Sequence, residues 1–284
     1  MRTRSAASVV LVLALLPAAA WAGPPSAPPK LPPLLEQVGI EQRLNEQVPL
    51  GLEFRDEAGQ AVRLGDYFGD RRPVVLVLAY FRCPMLCTQV LNALVESLRG
   101  VPLDAGKDFQ VVVVSFDARE KPELAAAKKA AYVESYGRPG ADAGWHFLTG
   151  EQPAIDALTE AVGFRYAYDA KHDQFAHGSG VMILTPRGKV ARYFFGIDYK
   201  MRDANDKSRD VRLALVEASG GKVGSTADQL LLLCYHYDET TGTYTPAVMT
   251  IVRLAGGLTL LVIGGFLVRA WRRERRSAAA APQP

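Results

Sequence analysis

Cys83 and Cys87 frame the run CPMLC, and His177 stands far downstream in QFAHGSGVMIL, immediately before an apolar stretch. Residues four apart on a helix have Cβ atoms about 5–6 Å apart, close enough to share a metal ion or, after adjustment, to form a disulfide. Pro84 suits a first helical turn, so Cys83 is expected to cap a helix and Cys87 to stand one turn later on the same face. A helix N-terminus also lowers a thiol pKa, which favours the thiolate that both chemistries use. On the pair alone, redox chemistry, metal binding and an inert buried pair all remain open. His177 tips the balance towards metal. Two thiolates and one imidazole form a three-coordinate soft site suited to Cu(I), with Cu(II) able to add water or another oxygen. Zinc is the competing ion, but a structural zinc site usually takes a fourth protein ligand. A thioredoxin-type reductase would ordinarily place a proline before the strand that follows, and none occurs between Pro153 and Pro186.

The elements that must position these residues are legible in the periodicity. LGLEFRDEAGQAVRLGDYF alternates, predicting a hairpin with strands near 50–54 and 61–64 and a turn containing Gly59. PVVLVLAY and FQVVVVSF are apolar on both faces, as in central strands covered on each side, and each leads into a helix-like segment, 84–98 and 122–136. WHFLTG, a helix near 152–162, a hairpin in VMILTPRGKVARYFFG turning at Pro186-Arg187-Gly188, and a helix through 211–218 complete the order. That order predicts an α/β thioredoxin-like sandwich with a mixed central sheet and an N-terminal hairpin.

The ends carry their own signals. Residues 9–16 are apolar behind Arg2 and Arg4 and lead to Ala20-Trp21-Ala22, a small-x-small pattern that predicts a cleaved signal peptide over 1–22. Residues 23–45 begin GPPSAPPKLPP and read as a proline-rich spacer, 46–222 as the folded domain and 223–246 as a juxtamembrane segment. Residues 247–268 hold one charge, Arg253, and are expected to form a transmembrane helix followed by a basic cytoplasmic tail over 269–284. The expected placement is a single pass through a bacterial inner membrane with the main domain facing the periplasm. The overall charge is +3. With Arg2, Arg4, Arg253 and the five Arg and one Glu of RAWRRERR set aside, residues 23–246 carry about −4. Such a domain is a poor partner for nucleic acid, which selects a dense basic face. Three cysteines in an oxidising compartment allow one internal disulfide at most, so the chain is no disulfide scaffold.

CPMLC after one apolar strand, SFDAREKP after the next, then GWHFLTG and FAHGSGVMILTPRGKVARYF together resemble the Sco/SenC family of copper-binding, thioredoxin-like proteins. Members of that family assist assembly of the dinuclear copper centre of cytochrome c oxidase. The resemblance runs over roughly residues 50–219. It implies copper ligation by Cys83, Cys87 and His177, and it places the aspartate that follows the second strand at Asp117. It also implies a copper-bearing subunit of a respiratory oxidase as partner; a thiol reductase is a further expected partner of the cysteine pair. The family more often carries an N-terminal anchor, and often has Ser where this chain has Gly178. These departures bear on the partner more than on the metal.

Other polar residues attract plainer expectations. Asp117 is expected to cap the following loop or helix, His146 to pack or lie at the surface, and His172 to be solvated. Cys234 and His236 fall in QLLLLCYHYD after a capping-box-like 225–228; on a helix they would diverge, and on a strand they would share a face. The leading functional expectation is a copper chaperone rather than a turnover enzyme. The alternative is a thiol-disulfide oxidoreductase using the same pair to reduce cysteines of a copper-receiving protein. A peroxidase would need a peroxidatic cysteine in a Thr/Pro/Arg setting that the sequence lacks.

Overall fold

The computed structural model describes residues 33–196, 207–224, 237–238, 243–244 and 246–279. The expected signal peptide, most of the spacer's proline-rich part, and Cys234 with His236 lie outside the described residues.

The two apolar runs become β4 (Val74–Ala79) and β5 (Gln110–Ser115), and every residue of both is buried. Strands before them are β1 (Gly39–Ile40), β2 (Glu53–Arg55) and β3 (Ala61–Arg63). β2 and β3 pair antiparallel as the expected hairpin, with Gly59 at φ +77° in its turn. α1 (Leu86–Arg99) follows β4, and α2 (Pro122–Tyr136) follows β5, closed by Gly137 in the left-handed conformation that glycine adopts at no steric cost. β6 (Trp145–Leu148), α3 (Gln152–Ala161), β7 (Phe164–Asp169), β8 (Gln174–His177), β9 (Gly180–Leu184), β10 (Val190–Phe195) and α4 (Lys207–Ser219) come next. The central sheet runs β10-β9-β4-β5-β6. β4, β5 and β6 are parallel, whereas β9 and β10 are antiparallel, so the sheet is mixed as expected. Its valine-rich strands make a core extended by Phe109, Phe116, Trp145 and Phe147.

A second sheet, β1-β7-β8, was not visible in the sequence pattern. Residues 39–45, assigned to the spacer by composition, are tied in here: β1 pairs with β7, Glu41 N–H donates to Gly163 O at 2.8 Å, and Asn45 N–H donates to Val190 O at 2.9 Å.

Two short strands, β11 (Tyr237–Asp238) and β12 (Thr243–Tyr244), precede α5 (Pro246–Ala279). The expectation of a transmembrane helix over 247–268 is corrected here: among the described residues no helix is long and apolar enough to cross a membrane. The reason is length. Between Arg253 and Arg269 the uncharged run covers only residues 254–268, about 22 Å of helix against about 30 Å of hydrocarbon.

His146 lies on β6, with Nε2 3.1 Å from Gln110 Oε1 and its ring 4.4 Å from that of Tyr67. Burial, then the nearby Lys129 charge, push its pKa from 6.5 down to about 4. The folded state therefore resists a proton that the unfolded chain accepts. This stability is complete above about pH 6.5 and is lost as pH falls towards about 4, at up to about 1.4 kcal/mol per pH unit. Urea denaturation at decreasing pH should show that slope in the native chain and a shallower one in His146→Gln; identical slopes would exclude His146 as the cause.

Candidate metal centre

β4 ends at Ala79, and the chain turns through Tyr80, Phe81 and Arg82 before reaching Cys83. A buried carboxylate from the neighbouring loop holds this turn in place. Glu120 accepts the N–H of Phe81 at 2.7 Å and of Arg82 at 2.8 Å, while Ser115 donates its hydroxyl to the same carboxylate at 2.6 Å. Ser115 is the last residue of β5 and Glu120 lies five positions on, so the two parallel central strands together fix where the cysteine loop begins.

The helix after the loop starts two residues later than expected. Its cap position is Met85 and its first residue Leu86, so Pro84 precedes the helix instead of opening it. Cys83 still performs a capping function, because Cys87 N–H donates to Cys83 Sγ at 3.3 Å. That bond folds CPMLC back on itself and brings the two sulfurs to one side. Both cysteines are free thiols, 8% and 4% exposed.

His177 comes from the sheet that the sequence pattern did not reveal. It ends β8, opposite Tyr166 of β7, and its ring sits among those of Phe116, Tyr80 and Phe164 at 5.2, 5.9 and 6.1 Å. Its Nδ1–H donates to the Gly178 carbonyl at 2.6 Å, which commits that nitrogen and turns Nε2 towards Cys87 Sγ at 3.3 Å. Gly178 and Gly180 let the chain pass close to Ile40; a Cβ on either would stand about 3 Å from its side chain.

The ligand atoms of Cys83, Cys87 and His177 all lie within 4.8 Å of one another and could hold a metal ion. Bonds of about 2.0–2.3 Å to one ion span such a triangle with little adjustment. The two thiols are electrostatically unlike. The hydrogen bond from Cys87 holds the Cys83 thiol far below the ordinary range, with His177 assisting and burial opposing. The same bond and burial push the Cys87 thiol up. The pair thus rests as a thiolate at Cys83 and a thiol at Cys87. Burial, with the Cys83 hydrogen bond next, also raises the phenol of Tyr80, so it stays protonated beside the sulfurs.

The other candidates fall elsewhere. Asp117 is 2% exposed and pairs with Arg119 through both carboxylate oxygens at 2.8 Å. Arg119 continues to Asp173 at 2.9 Å and lies over the rings of Tyr168 and Phe175. This bridge ties the loop after β5 to the hairpin that carries His177, so Asp117 acts through Arg119. His172 pairs with Asp169 at the surface, and His146 is held on β6, neither among the three clustered ligands. Glu120, Arg119 and Asp173 were missed by sequence reasoning. In a charged run such as DAREKP nothing marks which acid is buried.

The parallel βαβ core, the antiparallel β9–β10 pair and the paired cysteines at the end of β4 define a thioredoxin-like domain. The chain matches the SCO1/SenC family over residues 42–211, more than half its length, and belongs to that family. Among solved structures it is similar to a candidate electron transfer protein from Aquifex aeolicus VF5, with 23% identity, a TM-score of 0.53, and coverage of 63% of this chain and 95% of that one. It is also similar to ScoI of Arabidopsis thaliana with copper bound, at 17% identity and a TM-score of 0.46, covering 60% of this chain and 99% of that one. ScoI of Bradyrhizobium japonicum with copper bound gives 19% identity and a TM-score of 0.43, covering 59% and 96%. No curated protein matches the chain. This chain has a Cys–Cys–His group that could bind a metal.

Glu120→Ala would leave two buried or half-buried N–H groups and the Ser115 hydroxyl without their acceptor, at about 1–3 kcal/mol for a buried unsatisfied group. A loss of about 3 kcal/mol or more in urea denaturation is expected, with Glu120→Gln milder because its carbonyl still accepts. An unchanged midpoint in both variants would show that the loop holds its shape without the carboxylate.

Proposed function

We propose that this domain carries copper as Cu(I) on Cys83, Cys87 and His177 and passes it to the copper-bearing subunit of a respiratory oxidase. The observation that carries the reading is the convergence of two sulfurs and a preset imidazole Nε2 within 4.8 Å, three soft or borderline donors with no carboxylate among them. Copper is cargo here. Deprotonated Cys83 offers the first bond, and binding displaces the proton that Cys87 retains. Glu120 keeps the loop at the end of β4, and the Gly178 carbonyl keeps the imidazole turned inward, so the donors need little reorganisation. The leader-like residues 1–22 support a domain working outside the cytoplasm, on the periplasmic side of a bacterial inner membrane. The domain assignment itself, a folded unit over 46–222 extended by the strand at 39–40, is part of the same proposal.

One observation favours a second reading. A thiolate at Cys83 bonded to a thiol at Cys87 is the resting state of a dithiol reductant, in which the thiolate attacks a target disulfide and the second thiol resolves the mixed disulfide. The imidazole separates the two, because metal holding uses His177 and a dithiol exchange can proceed without it.

The purified reduced protein should bind one Cu(I) per chain. Cys83→Ser, Cys87→Ser and His177→Ala should each lose most of that affinity, since a three-coordinate site has no spare ligand. Full loading in two of the three variants would overturn the site. His177→Ala retaining disulfide-reducing activity while losing copper would assign the residual chemistry to the dithiol.

Copper and the Cys83–Cys87 disulfide should also exclude one another, because the same sulfurs serve in both states. Oxidant titration with and without Cu(I), counting thiols and bound metal, should show protection of both cysteines by the metal. One Cu(I) retained on the fully oxidised pair would place the metal elsewhere.

A further inference from the structure

The two sulfurs proposed to hold copper are buried, yet between them in sequence stands a third sulfur that is not. Met85 is 64% exposed, against 8% for Cys83 and 4% for Cys87. It sits two residues from each cysteine, so its Cα lies within about 7.6 Å of either, a gap that an extended thioether and a cysteine side chain bridge when one metal ion stands between their sulfurs. It is the residue before the first turn of α1, and its backbone leaves the helical path there. Met85 thus presents an exposed sulfur beside the buried pair, on a segment anchored through Glu120, Cys83 and the helix.

Accepting the copper-carrier reading above, we propose that Met85 is the exit ligand, which draws Cu(I) from the buried Cys–Cys–His site to the surface and presents it to a sulfur or imidazole donor of the acceptor. A thioether has the chemistry for transit and not for storage. It is soft enough for Cu(I), uncharged and therefore weaker than a thiolate, and requires no deprotonation. A three-coordinate Cu(I) can accept Met85 sulfur as an added ligand before a protein ligand leaves. The Cu–S bond to one cysteine then breaks, and that thiolate takes up a proton from water. Copper remains Cu(I) throughout, and no electron is exchanged. The incoming acceptor then meets a metal already at the surface instead of having to reach two sulfurs that water barely touches.

The test uses the full-length protein loaded with Cu(I), with excess bicinchoninate as the acceptor whose absorbance reports transfer. Met85→Leu keeps the volume and removes the sulfur, and Met85→Ala removes both. Equilibrium copper content and affinity should be unchanged in each variant, while transfer slows by about tenfold or more, equivalent to about 1.4 kcal/mol on the exchange barrier. Equal transfer rates in native protein and Met85→Leu would overturn the exit role and leave the carrier reading intact. Slow transfer in Met85→Leu with fast transfer in Met85→Ala would mean that side-chain bulk, not sulfur, controls exit, and the proposal falls. Loss of equilibrium binding in both variants would make Met85 a resident ligand, again against the proposal. Failure of the native protein to hold Cu(I) would remove the carrier reading, and the exit role with it.

Discussion

Everything at the candidate metal centre depends on one buried carboxylate gripping a turn. Glu120 accepts two consecutive backbone N–H groups at the end of β4 and a hydroxyl from the end of β5. Those N–H groups belong to residues leaving the sheet, where no strand partner takes them, and a buried donor without a partner is costly. The carboxylate satisfies them and thereby fixes the direction in which Cys83 departs. A shift of the turn would carry both sulfurs away from an imidazole held from a different sheet. The loop and the histidine reach each other only because their supports are rigid.

The imidazole has an equally specific support. β8 joins the structure through β7, and β7 is fastened by β1 on its far edge and by the aromatic cluster of Phe116, Phe164, Tyr166 and Phe175 beneath it. Arg119 adds a bridge from Asp117 to Asp173 across the open side. This bridge is half exposed, and an exposed ion pair alone contributes little, but Asp117 is buried and holds the guanidinium through two parallel bonds. The arrangement therefore acts more as a positional tie than as a source of stability.

The legible parts of this protein are those in which burial is complete. β4 and β5 are buried at every position and their runs are unbroken in the sequence, so their identity and their order could be read directly. The β7–β8 hairpin could not. FRYAYD and QFAH are half exposed, with polar residues on both sides of AKHD, and their inner face packs on Phe116 instead of on the main sheet. α1 starts at Leu86 and not at Pro84, because proline is equally at home before a helix and in its first turn. The cysteines and His177 were identifiable by donor chemistry, whereas Glu120 was hidden among charged neighbours. At the C-terminus, the expected span includes Arg253, whereas only the run between Arg253 and Arg269 is free of charge, and among the described residues no helix is long and apolar enough to cross a membrane.

A shared proton links the carrier and reductant readings. In the metal-free pair one proton joins a Cys83 thiolate to a Cys87 thiol. Copper displaces that proton, and oxidation removes it with two electrons, so both events compete for the same state. Burial strengthens the competition, because the two nearly covered cysteines leave a free thiolate poorly solvated by water and therefore to a proton, a metal or the other sulfur. His177 biases the outcome. Its Nε2 could bond a metal without changing the redox state of the sulfurs, so on the proposed reading the preference for carriage over reduction would come from the hairpin, while the cysteine loop would serve either chemistry.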